Sequence, residues 1–249
     1  MKISIITATY NSINSLPSTL KSVKEQTHKD IEWIVVDGGS QDSTIEFIEK
    51  NKKINDKYIS EPDSGIYDAL NKGIKMASGD IIGFVHSDDF LASDNIISKI
   101  NKEFEENEID GVYGDLQYVD KNNVQKIVRY WKSQPFVKGL LARGWMPAHP
   151  TLFLKREVYE KFGHFNLEYK ISADYDFMLR IFSNLDLKFK YIPYVFTKMR
   201  LGGASNKSLN NILLKSSEDL LSLKGNKINF PHMVLFLKNF NKIKQYIKK

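Results

Sequence analysis

The amino-acid sequence predicts an α/β fold, in which a mainly parallel sheet is flanked by helices, on three observations. The first half of the chain alternates short β-branched runs with segments of helical periodicity, which is typical of βαβ units. The 249 residues are 42% hydrophobic and 27% charged, which suits a globular domain with a sizeable core. Neither an internal repeat nor a linker interrupts the chain, so we expect one continuous domain.

The first half of the chain is expected to hold four strands and four helices. The predicted strands are Lys2–Tyr10, Ile31–Asp37, a short strand in DKYISEPD that stops at Pro62, and Asp80–His86. The predicted helices run from Leu16 to Gln26, from Thr44 to Lys50, from Tyr67 to Met76, and from an Asp94 N-cap to about Glu106.

The second half is less regular, but its elements can still be assigned in order. GVYGDLQYVD and VQKIVRYW predict a hairpin with Asn122 and Asn123 in its turn. A loop, GLLARGWMPAHP, is followed by a strand, TLFLK, and a helix, Glu157–Phe162. ISADYDFMLRIF predicts a helix, YIPYVFTKMR predicts a strand, and two further helices complete the chain.

Composition excludes several classes of protein. The chain has no cysteine, which rules out disulfide frameworks and thiolate zinc sites. The N-terminal residues lack the pattern of a signal peptide, and no apolar run approaches the roughly 18 residues that span a bilayer. We therefore expect a soluble protein.

The net charge of +6 is concentrated at the C-terminal end. No acidic residue follows Asp219, whereas seven lysines do: Lys224, Lys227, Lys238, Lys242, Lys244, Lys248 and Lys249. This asymmetry favours contact with phosphates of lipid or nucleic acid, although a lysine-rich composition from an AT-rich genome explains it equally well. In the last helix the apolar stripe Phe236, Phe240, Ile243 and Ile247 is expected opposite Lys238, Lys242, Lys248 and Lys249. Core packing and an interfacial membrane helix both remain open.

Polar residues follow three of the predicted strands, where an open parallel sheet binds its ligands. These strand ends are Thr7-Ala8-Thr9-Tyr10, Asp37-Gly38-Gly39-Ser40 and Ser87-Asp88-Asp89. The sequence lacks the GxGxxG motif of dinucleotide-binding sites and the GxxxxGK[ST] motif of P-loops. It therefore does not favour either kind of site. An Asp pair at a strand end suits Mg²⁺ shared with a nucleotide diphosphate, because this hard ion binds few carboxylates plus phosphate oxygens.

Five segments, taken in order, resemble the family 2 glycosyltransferases of the GT-A fold. They are ITATYNS, VVDGGSQDST, SEPDSGIYDALNKGI, ASGDIIGFVHSDD and ADYDFMLR. The series resembles most of all the bacterial enzymes that build O-antigen, capsule or other surface polysaccharide. The resemblance implies a Rossmann-like GT-A domain over residues 1–205, with a nucleotide-sugar half at about 1–110 and an acceptor half at about 111–205. A basic helical extension, residues 206–249, would follow.

The resemblance implies an inverting transfer from a UDP-hexose or UDP-HexNAc, with Mg²⁺ or Mn²⁺ as cofactor. Asp174 would be the general base and Asp89 the metal ligand, while Asp88 would contact ribose or the donor sugar. Tyr10 would lie beside the base, and Asp37 would accept from the uracil N–H. The nucleotide-sugar site would comprise Thr7, Ala8, Thr9, Tyr10, Asp37, Gly38, Asp63, Asn71, Lys72 and Asp88. His149 and Arg200 would lie on the acceptor side. Arg200, Gly202 and Gly203 would form either a loop that closes over the diphosphate or a simple connecting loop, and both alternatives stay open.

The sequence departs from relatives at two positions, since they often carry Arg at Leu70 and Glu at Ala173. Within ISADYDFMLRIF, Asp176 has Arg180 at i+4, so an ion pair explains it. Asp174 has only apolar neighbours at i+3 and i+4, which suits a base that takes a hydroxyl proton. A helix N-cap is the alternative for Asp174.

The implied acceptor is a glycan or a polyprenyl-diphosphate-linked sugar, and nucleic acid is not an expected partner. The expected location is the cytoplasm, with peripheral contact to the inner face of the membrane as a further expectation. Two other functions stay open: a nucleotidyltransferase acting on sugar phosphates, which would want a basic Gly-rich loop after the first strand, and a non-catalytic membrane-bound assembly protein.

Overall fold

A computed structural model of the protein describes residues 1–202 and 209–247. In these ranges the strands are β1 (Ile3–Thr9), β2 (Ile31–Asp37), β3 (Lys57–Ser60), β4 (Ile81–Phe84), β5 (Asp89–Leu91), β6 (Gly111–Val119), β7 (Ile127–Trp131), β8 (Phe153–Lys155) and β9 (Phe189–Arg200). They form one sheet in the order β3-β2-β1-β4-β8-β6-β9-β5, and β7 pairs with β6. This sheet is the scaffold on which the loops of the site are carried.

Helices cover the sheet on both faces. They are α1 (Leu16–Lys24), α2 (Thr44–Asn51), α3 (Ile66–Met76), α4 (Ile96–Glu106), α5 (Arg156–Phe162), α6 (Ala173–Phe182), α7 (Leu209–Gly225) and α8 (Pro231–Ile247). Two short 3-10 segments, Lys138–Arg143 and His149–Thr151, interrupt the predicted Gly- and Pro-rich loop. Within the described residues no helix is long and apolar enough to cross a membrane.

The N-terminal half of the sheet is parallel. β1 pairs in parallel with β2 and β4, and β2 pairs in parallel with β3. All seven residues of β1 are buried, as expected for a central parallel strand covered on both faces. The carboxyl ends of β1 and β4 therefore lie side by side, and the segments that follow them share one edge of the sheet.

The second half of the sheet is mixed. β8 pairs antiparallel with β4 and β6, β7 forms the predicted hairpin with β6, and β9 runs parallel to β6. β5, which the sequence did not predict, pairs antiparallel with β9 and begins at Asp89. The predicted α/β fold with a helix-flanked sheet is confirmed, and parallel pairing is concentrated in its N-terminal half.

Two layers of apolar side chains enclose the sheet. One contains Ile6, Phe84 and residues of α3 and α6, and the other contains Ile5, Trp33 and residues of α1 and α4. α7 packs on α6, and α8 packs on α7 and β7. The two C-terminal helices thus close one side of the space above the sheet edge.

Two local expectations need correction or stay open. The N-cap of α4 is Asn95 rather than Asp94, because the helix begins one residue later than predicted, at Ile96. The predicted boundary between residues 205 and 206 lies outside the described residues, so the division into a domain and an extension stays a prediction.

Candidate active site

A cavity of about 980 Å³ opens where β1 and β4 end. Its walls come from the segments after these two strands, the start of α3, the β6–β7 hairpin, the start of α6, and the helices α7 and α8. Both halves of the chain therefore contribute to one space at the carboxyl edge of the parallel sheet. This is the position at which open α/β sheets bind ligands.

The end of β1 contributes three of its four predicted residues to the cavity. Ala8, Thr9 and Tyr10 line it, and the Tyr10 side chain is 60% exposed, so its ring is free to contact a ligand. Thr7 is the exception, because alternation along the strand turns its side chain into the core. Its hydroxyl donates to the carbonyl of Val85 at 2.7 Å and accepts from the Trp33 indole at 3.0 Å.

Asp37 is fully buried and organises the turn after β2. Its Oδ2 accepts from the backbone N–H of Gly39 at 3.0 Å and of Ser40 at 2.8 Å, and from the Ser60 hydroxyl at 2.8 Å. Asp37 is not among the cavity-lining residues, so its predicted contact with a base stays a prediction. Gly38 is needed for close packing, since a Cβ atom there would lie 2.6 Å from Oδ2 of Asp63, which does line the cavity.

Asn71 and Lys72 have structural partners instead of places in the cavity wall. Both ends of the Asn71 amide bond the backbone of Phe165, at 2.9 and 3.0 Å. Lys72 pairs with Glu61 at 2.7 Å and with Asp68 at 3.4 Å. Both were predicted in the nucleotide-sugar site. In the structure, Asn71 joins the first half of the chain to the second half. Lys72 fixes α3 through its ion pairs.

Asp88 and Asp89 occupy different environments. Asp88 lines the cavity, and its carboxylate makes no hydrogen bond or ion pair with the described residues. Asp89 begins β5 and is 0% exposed; its Oδ1 accepts from the Arg200 backbone N–H at 3.3 Å, and its Oδ2 has no partner among the described residues. Burial, reinforced by the charge of Asp88, raises the pKa of Asp89 well above its usual range. The geometry favours Asp88 over Asp89 as the carboxylate that meets a ligand.

Asp174 lies in the first turn of α6 and lines the cavity. Its Oδ1 is 3.0 Å from the Tyr67 hydroxyl and accepts from the Tyr175 backbone N–H at 2.8 Å. The N-cap of α6 is Ser172, so Asp174 does not have the capping role that was its alternative. No ion pair with the described residues neutralises this carboxylate.

Asp176 is explained by the predicted ion pair, which is confirmed. Arg180 Nη2 lies 2.5 Å from Asp176 Oδ2, and the Asn226 amide donates to Oδ1 at 2.8 Å. The carboxylate is largely buried and joins α6 to the loop between α7 and α8. Of the two neighbouring aspartates, only Asp174 faces the cavity.

Two histidines line the cavity together with Asp88 and Asp174. The rings of His86 and His149 are 6.0 Å apart, and His149 lies 5.1 Å from the Phe84 ring. Burial lowers the pKa of His149 to about 4, and burial also lowers the pKa of His86, against the opposing charges of Asp88 and Asp174. Both rings are therefore neutral at pH 7. His86 was not predicted as a site residue; it follows β4 by two residues and lines the cavity.

Arg200 supports the Asp88 loop from outside the cavity. Its guanidinium donates to the Asp88 carbonyl at 2.5 Å and to the Ser18 hydroxyl at 2.8 Å, and it lies over the Phe90 ring. The predicted place of Arg200 on the acceptor side stays a prediction. Gly202 lines the cavity, whereas Gly203 lies outside the described residues, so closure of this loop over a diphosphate is untested.

The last helix turns two phenylalanines of its apolar stripe outward. Phe236 and Phe240 are 67% and 51% exposed, whereas Lys238 is 4% exposed and lines the cavity together with Lys242. Of the two alternatives left open for the stripe, core packing does not hold for these two phenylalanines, and membrane contact stays a prediction. The prediction also named Ile243 and Ile247 of the stripe and Lys248 and Lys249 opposite it, and the side chains of these four residues lie outside the part that the structure describes.

Comparison with known proteins identifies the family. Residues 4–165 match the family model described as Glycosyl transferase family 2. A curated relative, the PGL/p-HBAD biosynthesis glycosyltransferase of Mycobacterium bovis (strain BCG / Pasteur 1173P2), is 32% identical over 217 residues. The aligned region covers 85% of this chain and 82% of the relative.

Solved structures share the fold at low sequence identity. The crystal structure of S. aureus TarS 1-349 in complex with UDP-GlcNAc has a TM-score of 0.70 and 18% identity, over 96% of this chain and 72% of that one. The mannosyltransferase PcManGT from Pyrobaculum calidifontis, in complex with GDP-Man and Mn²⁺, has a TM-score of 0.67 and 15% identity, over 99% and 73%. The chain therefore belongs to glycosyl transferase family 2 and has the GT-A fold.

Proposed function

We propose that the protein is an inverting glycosyltransferase that moves a hexose or HexNAc from a UDP-sugar to an acceptor hydroxyl. The observation that carries this proposal is the placement of two carboxylates, Asp88 and Asp174, on one cavity at the carboxyl ends of β1 and β4. Neither carboxylate is neutralised by an ion pair within residues 1–202 and 209–247. One is available to the donor and the other to the acceptor.

The donor end of the cavity suits a nucleotide. The exposed Tyr10 ring offers a surface on which a base can stack, and Thr9 and Asp63 add polar atoms beside it. The neighbouring TarS structure holds UDP-GlcNAc, and the PcManGT structure holds GDP-Man, so nucleotide diphosphate sugars are supported as a class. A UDP-sugar is the donor we propose.

Asp88 is the residue that fits a divalent metal ion. Its carboxylate faces the cavity without a partner among the described residues, and His86 lies next to it with an unpartnered buried Nδ1. No group of three or more His, Cys, Asp or Glu side chains in the described part of the chain is placed to hold a metal. This suits Mg²⁺ or Mn²⁺, which bind through one or two carboxylates together with substrate phosphates. When bound, such an ion stabilises the negative charge of the departing diphosphate.

Asp174 would remove the proton from the acceptor hydroxyl. The freed oxygen attacks the anomeric carbon of the donor as the bond from that carbon to the diphosphate breaks, so one displacement inverts the configuration. An α-linked UDP-sugar then gives a β-glycoside. Tyr67 is a positioning residue: its hydroxyl reaches both the Ile171 carbonyl at 2.6 Å and Asp174 at 3.0 Å. Burial and the charge of Asp174 raise the pKa of Tyr67 well above its usual value, so it stays protonated.

The proposed acceptor is a glycan or polyprenyl-diphosphate-linked sugar of surface-polysaccharide synthesis, used at the cytoplasmic face of the membrane. An exposed apolar surface supports membrane contact. It is formed by residues of the two C-terminal helices and the loop between them, namely Leu213, Leu221, Phe230, Met233, Phe236 and Phe240, each at least half exposed. Such a surface suits insertion at a lipid interface.

A screen of UDP-hexoses and UDP-HexNAcs for UDP release, with and without Mn²⁺, tests the proposed function. We expect release from at least one donor, dependent on the metal and lost in Asp88→Ala. Pyrophosphate release from a nucleoside triphosphate and a sugar phosphate would favour a nucleotidyltransferase instead. Absence of UDP binding by calorimetry, in a folded protein, would support the non-catalytic alternative.

A further inference from the structure

The end of the cavity between the β6–β7 hairpin and the C-terminal helices is lined by four cations. They are Arg129 of β7, Lys215 of α7, and Lys238 and Lys242 of α8. We refer to these four residues as the cationic pocket. Asp219 of α7 is the acidic side chain that pairs with one of the three lysines, Lys238.

Three lysines of the pocket face two carboxylates, Asp219 and Asp174. Asp219 Oδ1 pairs with Lys238 Nζ at 2.8 Å, and Lys238 Nζ lies 3.1 Å from the centroid of the Tyr175 ring. Lys215 and Lys242 form no ion pair with the described residues. Burial, followed by the charges of Lys215 and Lys238, lowers the pKa of Lys242 to about 7.

Arg129 adds a fourth charge that is held in place by aromatic rings. It is 8% exposed, and its guanidinium lies 4.6 Å from the Tyr118 ring and 5.5 Å from the Trp131 ring. Both rings also line the cavity. These ring contacts hold the guanidinium charge of Arg129 beside the three lysines of the pocket.

Crowding of cations in a low-dielectric space is costly unless an anion compensates for it. A folded chain that retains such a cluster on a cavity wall, instead of replacing it with apolar side chains, has a ready site for an anionic ligand. Several oxygens are needed to engage several donors. A phosphate or diphosphate group meets this requirement better than a single carboxylate.

The cationic pocket lies next to the proposed base. Lys238 Nζ is 3.1 Å from the centroid of the Tyr175 ring, and Tyr175 directly follows Asp174 in α6. Asp174, Tyr175 and Lys238 line the same cavity. An acceptor with its hydroxyl at Asp174 can therefore place a neighbouring group against the cationic pocket.

We infer that the cationic pocket binds a phosphate or diphosphate group carried by the acceptor, and so selects an anionic acceptor. This inference rests on the proposed function, because it takes Asp174 as the boundary between donor and acceptor. A lipid-linked diphosphate and a water-soluble sugar phosphate share the same chemistry. The exposed apolar surface on α7 and α8 belongs to the same two helices, which makes a lipid-linked source compatible with the fold.

Calorimetry with inorganic pyrophosphate, in the presence of saturating UDP, tests the inference. Filling the donor end with UDP leaves the cationic pocket as the site for the probe. We expect wild-type protein to bind pyrophosphate, and Lys242→Met to weaken that binding by about tenfold or more, as for loss of one charge-assisted contact. Lys224→Gln, an exposed lysine of α7, should bind as the wild type does.

Two further readouts keep the test decisive. Lys242→Met should raise the Tm in the absence of anion, because it removes a buried like charge, and it should leave UDP affinity unchanged. A short-chain prenyl diphosphate that binds more tightly than pyrophosphate would identify a lipid-linked source, whereas equal binding would identify a soluble one.

The inference would be overturned if pyrophosphate did not bind to the UDP-saturated wild type, or if Lys242→Met weakened UDP instead of pyrophosphate. The second result would assign the cations to the donor. UDP release from the donor screen is measured separately, so failure of the proposed function would be seen as loss of UDP-sugar turnover and not as loss of pyrophosphate binding.

Discussion

Asp88 and Asp89 are adjacent in the chain, yet they meet opposite conditions. Asp88 lies in the turn between β4 and β5, which is closed by a hydrogen bond from the Asp89 N–H to the His86 carbonyl at 3.0 Å, and Asp89 is the first residue of β5. One carboxylate therefore lines the cavity while the other is buried. The interior position disfavours the charged form, and burial together with the charge of Asp88 raises the pKa of Asp89 well above its usual range.

Asn substitution at each of the two positions should separate their roles. Asp88→Asn removes the carboxylate proposed to meet the metal and should lower kcat/KM by at least about a hundredfold. Asp89→Asn keeps the shape of a buried side chain whose charged form burial disfavours, and it should retain most of the activity. Steady-state UDP release at saturating Mn²⁺ measures both, with circular dichroism to verify folding. Greater damage from Asp89→Asn would restore the original assignment of the metal to Asp89.

At the scale of single elements, β2 carries a buried carboxylate that ties three segments together. Glu32 is 0% exposed; Lys2 and Lys57 pair with it at 3.0 and 3.3 Å, and Ser78 donates to it from both backbone and hydroxyl. Burial opposes its ionisation, but hydrogen bonds from Ser4, Ser78 and Lys2 outweigh burial and lower the pKa of Glu32 to about 2.

The depressed pKa of Glu32 predicts a loss of stability in acid. Its contribution is fully present above pH 4.5, where the unfolded carboxyl is also ionised, and is lost as the pH falls towards 2. Allowing for solvent screening of the partly exposed lysines, we expect Glu32→Gln to lower the free energy of unfolding at pH 7 by about 2 kcal/mol. Urea titrations at pH 7 and pH 3 measure this, and a difference between variant and wild type that did not shrink at pH 3 would contradict it.

α8 predicts a second element-scale result, at the membrane. Phe236 and Phe240 are exposed on the helix, and their rings are 6.3 Å apart. The double variant Phe236→Ser/Phe240→Ser should weaken binding to anionic phospholipid vesicles by about tenfold or more, because two apolar side chains no longer enter the interface. Co-sedimentation measures the effect. Leu185→Ser, which changes an equally exposed residue of another segment, is the control, and equal loss in both would exclude a specific surface.

The same helix shows why some elements could be predicted and others could not. Helical periodicity located α8 and its stripe, but it could not tell which face packs inward. That choice depends on Asp219, which is contributed by α7 and pairs with Lys238. β5 was missed because three residues carry no periodicity, and its partner β9 lies about a hundred residues away. Local patterns predict elements, whereas partners distant in sequence decide which face is buried.

At the scale of the whole molecule, one cavity gathers residues from both halves of the chain. Tyr10, Asp63 and Asp88 come from the first half, and Asp174 and the cationic pocket come from the second. The parallel half of the sheet supplies the first part, and α6 to α8 supply the rest. Placement of the acceptor end therefore requires the fold of the complete chain.

The candidate site was predictable where strand ends and motifs determine it. Ala8, Thr9, Tyr10, Asp63, Asp88, His149 and Asp174 were predicted and do line the cavity. Thr7, Asn71 and Lys72 were predicted by position within a motif, but their partners, Val85, Phe165 and Glu61, engage them elsewhere. Tyr67 lies within the motif SEPDSGIYDALNKGI but was not singled out, and Lys238 and Lys242 were predicted only as part of a basic C-terminal segment. Their places in the cavity depend on the packing of α6, α7 and α8, which local sequence patterns do not show.

The most direct test of the proposed function compares donor binding with transfer in Asp174→Asn. Asp176→Asn, two residues along α6, is the matched control, since its carboxylate is held by Arg180 outside the cavity. We predict that Asp174→Asn binds UDP like the wild type while its kcat for sugar transfer falls by about 10²–10⁴-fold, as for loss of a general base. Asp176→Asn should lower the Tm but keep its kcat. Full transfer activity in folded Asp174→Asn would contradict the assignment of Asp174 as the base.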